Sequence, residues 1–187
     1  MKKLHIFIDG SWLFKICSPE GVLATKTDRP TKPFALDFSK LNKSLLEHAK
    51  SHDAECTGFG DLFYATSIFE IPDDIDEWPN DFTNITTNDI EIVKRGVHAR
   101  TMVAKNATDA GYNSQAIYHP KLRGFIVEKL TAKTYQEKQV DTSVVALLVR
   151  SAIINPNDYH VVITGDSDIL PAIKVAYPEY STNVFDH

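Results

Sequence analysis

Thr164-Gly165-Asp166-Ser167-Asp168 sets two carboxylates within one short turn. Two acids so close repel each other unless something positive lies between them. A hard divalent cation, Mg²⁺ or Mn²⁺, suits such an all-oxygen ligand set. The simpler role is a helix cap, because Asp or Ser ahead of a helix satisfies free backbone N–H groups without a metal. A lone D-x-D favours the cap. A second acidic turn changes the balance: the apolar run Leu4–Ile8 ends in Asp9-Gly10-Ser11. A further acid, Asp141, opens an apolar segment and is the only acid between Lys138 and Arg150. Capping is again the plain alternative there.

The elements around these acids read as strands and helices of an α/β domain. His160-Val161-Val162-Ile163 is β-branched and uncharged, which predicts a strand buried on both faces of a parallel sheet. Gly165 ends it. Ile169, Ile173, Ala176 and Tyr177 recur at helical spacing, with Pro171 tolerated in the first turn. Lys3–Ile8 predicts the first strand, with Leu4, Ile6 and Ile8 on one side and His5 and Phe7 on the other. His5 reads as a packed or half-exposed strand residue. Trp12-Leu13-Phe14 then begins a helical turn. Asp9, Asp166 and Asp168 therefore fall at the carboxyl ends of strands, where open α/β sheets bind ligands. If the two strands are neighbours, three carboxylates converge.

Between these ends the pattern predicts a Pro- and Gly-containing loop over 18–35, with Lys26, Arg29 and Lys32, and a helix over 37–49 capped by Asp37 or Ser39. A second strand is expected over 61–71, an exposed acidic loop over 72–81 and a long amphipathic helix from Thr87 to about Ala110. Ile117-Tyr118 and Phe125-Ile126-Val127 predict one or two strands. Val144 to Ile153 predicts an apolar helix with Asp141 at its start, and 181–185 a fifth strand.

The 187 residues fit one domain with its own core. No apolar run is long enough to span a bilayer, and Asp9 interrupts anything resembling a signal peptide. Cys17 and Cys56 give no disulfide framework, so a cytoplasmic protein with reduced thiols is expected. The net charge of −5 argues against non-specific coating of nucleic acid. Its distribution is uneven: residues 1–90 carry −6, residues 91–138 carry +5 and residues 139–187 carry −4. A basic middle between acidic ends can set phosphate-binding charge beside a metal-binding centre; an ordinary mixed-charge surface explains it as well.

Three ordered blocks resemble the NYN family of PIN-like nucleases. Ile6-Phe7-Ile8-Asp9-Gly10-Ser11 resembles its opening strand and D-G motif. Glu137-Lys138-Gln139-Val140-Asp141 resembles its K-G-V-D block, and Ile163 to Pro171 its S-G-D-x-D-F-x-P block. The region from about 18 to 116 carries little of the likeness. The resemblance implies a Rossmann-like three-layer sandwich with a mostly parallel sheet of about five strands. It implies a single domain over 1–187 with a less typical insertion at about 70–116. It also implies an acidic Mg²⁺ or Mn²⁺ centre that cuts RNA. By position, Asp9, Asp141, Asp166 and Asp168 would be the carboxylates. Ser11 and Thr164 would be supporting hydroxyls, and Lys138, Trp12 and Arg123 would bind substrate. Trp12 stands where many relatives have Asn and can neither accept a hydrogen bond nor bind metal. Packing or base stacking are its remaining roles. Gln139 stands where Gly is usual, and Ser167 likewise.

None of the seven histidines falls in these blocks, which agrees with hydrolysis by metal-activated water rather than by a histidine base. Other readings stay open. A PIN-like fold that holds RNA without cutting it fits the loss of Asn at position 12. A D-x-D glycosyltransferase gives no reason for Asp9 or Asp141. A phosphatase with Asp9 as nucleophile would need an acid where Ser11 stands. The sequence leaves a homodimer or a regulatory protein partner open.

Overall fold

In the computed structural model the first predicted strand runs over Lys2–Asp9 as β1, and every side chain from Leu4 to Asp9 is buried. The structure describes residues 1–17, 36–74, 77–78, 85–132, 134–135 and 139–177. After β1 come α1 (Gly10–Cys17), α2 (Phe38–His52), β2 (Cys56–Ser67), α3 (Thr87–Asp109), β3 (Ile117–Tyr118), α4 (Gly124–Thr131), α5 (Gln139–Ile154), β4 (Tyr159–Ile163) and α6 (Leu170–Ala176). The chain is thus α/β, with six described helices and a four-stranded sheet in the order β3-β2-β1-β4. All its pairings are parallel.

The two-residue alternation of β1 sorts the layers. Leu4, Ile6 and Ile8 bury against Phe38 of α2, Ala104 and Ala107 of α3, and Leu13 of α1. Phe7 buries on the other face with Phe63, with Val140, Val144 and Leu148 of α5, and with Ala172 of α6. A third cluster packs Leu122, Ile126 and Val127 against Ile90 and Val93 of α3. Caps fix the helix starts. Asp37 accepts the Lys40 N–H at 3.0 Å, and Thr86 and Asp89 form a reciprocal capping box on α3.

The pairing of β2 with β1 contains a bulge. Leu4 pairs with Phe59 and Ile6 with Leu62, so Gly60 and Asp61 together oppose the single residue His5.

Several expectations need correction. The second strand spans 56–67 rather than 61–71. Pairing with Lys2–Leu4 draws the Gly-containing stretch into the sheet despite its weak β preference. Phe125-Ile126-Val127 is helical: Val127 and Leu130 continue a helical stripe and Phe125 faces solvent, a distinction that three adjacent apolar residues do not make by themselves. β4 packs on both faces, Tyr159, Val161 and Ile163 against one core cluster and Val162 against the other, but it is not fully buried. It lies at one end of the described strand order, and all five of its residues are half-exposed. Trp78, expected on an exposed acidic loop, is 5% exposed and donates its Nε1–H to Pro72 O at 3.2 Å. The expected loop over 18–35 and fifth strand over 181–185 lie outside the described residues. Cys17 and Cys56 are free thiols, Cys56 buried and Cys17 half-buried. Among the described residues no helix is long and apolar enough to cross a membrane.

Candidate active site

Parallel pairing of β1 with β4, Ile8 opposite Ile163, brings Asp9 and Thr164 side by side where the two strands end. The Thr164 hydroxyl donates to Asp9 Oδ2 at 3.1 Å, and the Trp12 main-chain N–H donates to Asp9 Oδ1 at 2.9 Å. Thr164 Oγ1 in turn accepts the Asp166 N–H at 3.1 Å, and Asp166 Oδ1 accepts the Asp168 N–H at 2.9 Å. Asp9 is 3% exposed; Asp166 is half-buried and Asp168 exposed. The capping role is therefore real for two of these acids: Asp9 holds the start of α1, and Asp166 holds the 3₁₀ turn Ser167–Ile169 that leads into α6.

Asp141 arrives from the other side. Val140, Val144 and Leu148 anchor α5 in the core beside Phe7, which leaves Asp141 half-exposed in the first helical turn. Burial pushes its carboxyl above the ordinary carboxylate range, and the negative charges of Asp9, Asp166 and Asp168 push it further in the same direction. Asp9, Asp141, Asp166 and Asp168 thus share one electrostatic neighbourhood. Such a cluster holds a proton, or another cation, more firmly than isolated aspartates do.

Two glycines let the chain close around the centre. A Cβ on Gly10 would lie 2.7 Å from the Ala65 carbonyl oxygen and would also strike the Tyr64 ring. A Cβ on Gly165 would lie 2.8 Å from Trp12 Cδ1, so the indole lies directly over the Thr164–Asp168 turn. Trp12 packs at the margin of the β1 core cluster and remains half-exposed. Gly165→Ala is expected to displace the indole and cost about 2 kcal/mol of stability. Adding Trp12→Ala should recover part of that loss. A denaturant double-mutant cycle checks this, and strict additivity would contradict the contact.

Ser11 lies half-exposed in the first turn of α1. Arg123 is exposed at the N-cap position of α4, with no hydrogen bond among the carboxylates, and Lys138 lies outside the described residues. A hydrogen bond the sequence did not suggest ties the end of β3 to the helix that carries Asp141. Tyr118, at the end of β3, and Ser143 of α5 share a hydroxyl hydrogen bond of 2.6 Å. Neither residue type at that spacing carries a signal in the sequence. Among the described residues no three His, Cys, Asp or Glu side chains stand at metal-ligand spacing. The donor set itself is carboxylate and hydroxyl oxygen, which is what Mg²⁺ or Mn²⁺ takes.

The chain matches no family model, no curated protein and no solved structure.

Proposed function

We propose that this protein is a metal-dependent ribonuclease whose centre is Asp9, Asp141, Asp166 and Asp168. The observation that carries the reading is geometric: Thr164 joins Asp9, at the end of β1, to Asp166, on the turn after β4, and Asp141, raised first by burial, also feels the charges of Asp9, Asp166 and Asp168. It rests as well on the likeness of the three sequence blocks to NYN nucleases. Asp9, Asp141, Asp166 and Asp168 would hold Mg²⁺ or Mn²⁺. A bound ion of this kind lowers the pKa of water and neutralises charge on a phosphodiester.

The chain's own groups do the positioning. Thr164 fixes Asp9 through its hydroxyl and Asp166 through the main chain, so one side chain orients two acids. The Trp12 main-chain N–H holds the other oxygen of Asp9. Lys138 and Arg123 supply positive charge for the RNA backbone, and the half-exposed indole of Trp12 offers a face to a base.

A second reading is an RNA-binding module without turnover. One observation favours it: both oxygens of Asp9 already accept hydrogen bonds within the protein. The test is cleavage of an end-labelled, unstructured RNA in Mn²⁺, in Mg²⁺ and in chelator, beside Asp166→Asn prepared identically. Metal-dependent cutting by the unaltered protein alone is the expected result. RNA bound but uncut by either selects the binding module, and equal cutting by both removes Asp166 from the centre.

A further inference from the structure

A second polar cluster lies on the α5 side of the sheet, around His5, four residues before Asp9 on β1. His5 is 3% exposed. Its Nδ1 accepts the Asp61 main-chain N–H at 2.9 Å, and its Nε2 lies 3.1 Å from Asp158 Oδ2. Accepting from a main-chain amide requires a bare Nδ1, so the ring is neutral and donates its Nε2 proton to Asp158. The His160 ring stacks on it, with centroids 4.7 Å apart and planes 10° apart. Ser151 of α5 joins the pair: its Oγ is 3.1 Å from His5 Nδ1 and 3.1 Å from His160 Nε2, and 3.2 Å from Asp61 Oδ2. Both His5 Nδ1 and Asp61 Oδ2 are acceptors, so the Ser151 hydrogen serves them and His160 donates to Ser151. Its Nδ1 is then left to receive the Tyr177 hydroxyl. Ser151 is 3% exposed, which denies a substrate any approach and sets this cluster apart from a hydrolytic serine site.

The cluster is built into the β2 bulge. Asp61 is one of the two residues opposite His5, and the imidazole takes its N–H. Gly60 is the other, and a Cβ there would lie 2.6 Å from His5 Nδ1. The histidine thus occupies the space beside the bulge and takes the place of a ladder acceptor.

We propose that the His5–His160 stack is an acid-sensitive latch: neutral, it fixes the β2 bulge and fastens α5 and Tyr177 to the sheet, and protonation releases it. The groups facing the rings are Asp61 from β2, Asp158 from the turn before β4, and Tyr177 from the end of α6. The Lys3 main-chain N–H also donates to Asp158, at 3.0 Å. For His160, Asp158 favours imidazolium, whereas burial and the His5 ring stacked on it oppose it. The opposition wins. Burial, followed by the His5 charge, holds it below the ordinary 6.5, against the pull of Asp158. A His5 ring protonated at Nδ1 can no longer accept from Asp61, and its new proton would turn to Asp61 Oδ2, 3.3 Å away. The bulge cannot keep its present form after that exchange.

The direction with pH follows. A histidine depressed in the fold adds stability that is fully present above its unfolded value of 6.5 and is lost as pH falls from there through the folded value. Thermal unfolding between about pH 7.5 and about pH 5 is the first readout. The unaltered protein should lose melting temperature across this window. His160→Phe, which keeps a ring in the stack, should show a clearly smaller loss, since the ring held below its ordinary value is gone. Imidazole ¹⁵N and backbone amide NMR on the unaltered protein supply the second readout, whether or not the variant folds. A bare Nδ1 on His5 at neutral pH, and an Asp61 amide that moves with the ring titration, are expected. Histidines titrating freely near 6.5 while the Asp61 amide and the melting temperature stay put would overturn the latch.

Discussion

On the proposed ribonuclease reading, Asp141→Asn is expected to lower RNA cleavage by at least about 100-fold, since loss of even an outer partner of a metal ligand costs 10–100-fold. The same change will raise the melting temperature of the metal-free protein. The opposite signs share one cause. Asp141 is pushed above the ordinary carboxylate range by burial and then by Asp9, Asp166 and Asp168. A carboxyl raised in the fold gives stability that is present below its unfolded value of 3.8 and lost as pH rises through the folded value. At neutral pH the ionised Asp141 therefore strains the cluster, and a neutral amide of the same shape relieves it. Saturating Mn²⁺ should invert the order, stabilising the unaltered protein more than the variant. Parallel thermal melts with Mn²⁺ and with chelator, alongside the cleavage assay, check both halves. A variant that is less stable without metal would show that Asp141 serves α5 as a structural cap. A variant that still cuts at full rate would remove it from the centre.

Gly10→Ala will destabilise the protein by about 3 kcal/mol, the upper end for forcing a methyl group into a filled core. A Cβ at Gly10 meets the Ala65 carbonyl at 2.7 Å, and that oxygen belongs to the central pairing of β2 with β1. The other obstacle, the Tyr64 ring, is 1% exposed. It stands edge-on to Phe38 at 5.5 Å, and its hydroxyl donates to Gly10 O at 3.2 Å. Neither neighbour can step aside. The loss corresponds to a fall in melting temperature of about 10 °C for a domain of this size. Gly96→Ala is the matched control. Gly96 lies within α3 with nothing within 4 Å of an added Cβ, so the change should stabilise by about 0.5–1 kcal/mol. Equal effects at the two positions would contradict the close approach at Gly10.

The acids were legible because strand ends are. A β-branched run that stops at Asp-Gly or Thr-Gly announces both the strand and the place where its last side chain emerges. Asp9 and Asp166 follow from that rule, and Asp141 from its isolation ahead of an apolar helix. The capping alternative offered for the D-x-D turn holds for Asp166, and Asp9, for which no cap was expected, holds the start of α1 in the same way. What escaped the sequence depends on partners far along the chain. The early start of β2 comes from its pairing with Lys2–Leu4, and the bulge from a histidine on a neighbouring strand. The burial of Trp78 rests on contacts with the α3–α4 cluster, which an acidic and Pro-bounded stretch does not advertise. Phe125-Ile126-Val127 was too short for periodicity to separate strand from helix. Trp12 read as a lost polar group; its shape against Gly165 could be seen only once β1 and β4 were side by side.

The hydrogen bond from Thr164 to Asp9 joins residues 155 positions apart in the chain. Contacts of such separation are the slowest to form, because the intervening chain must be ordered first. During synthesis the amino-terminal strand leaves the ribosome long before its partner. β1 can pair with β2 early, but Asp9 meets neither Thr164 nor Asp166 until β4 has emerged and docked. A partly made chain therefore holds Asp9 apart from Asp166 and Asp168 until β4 has docked.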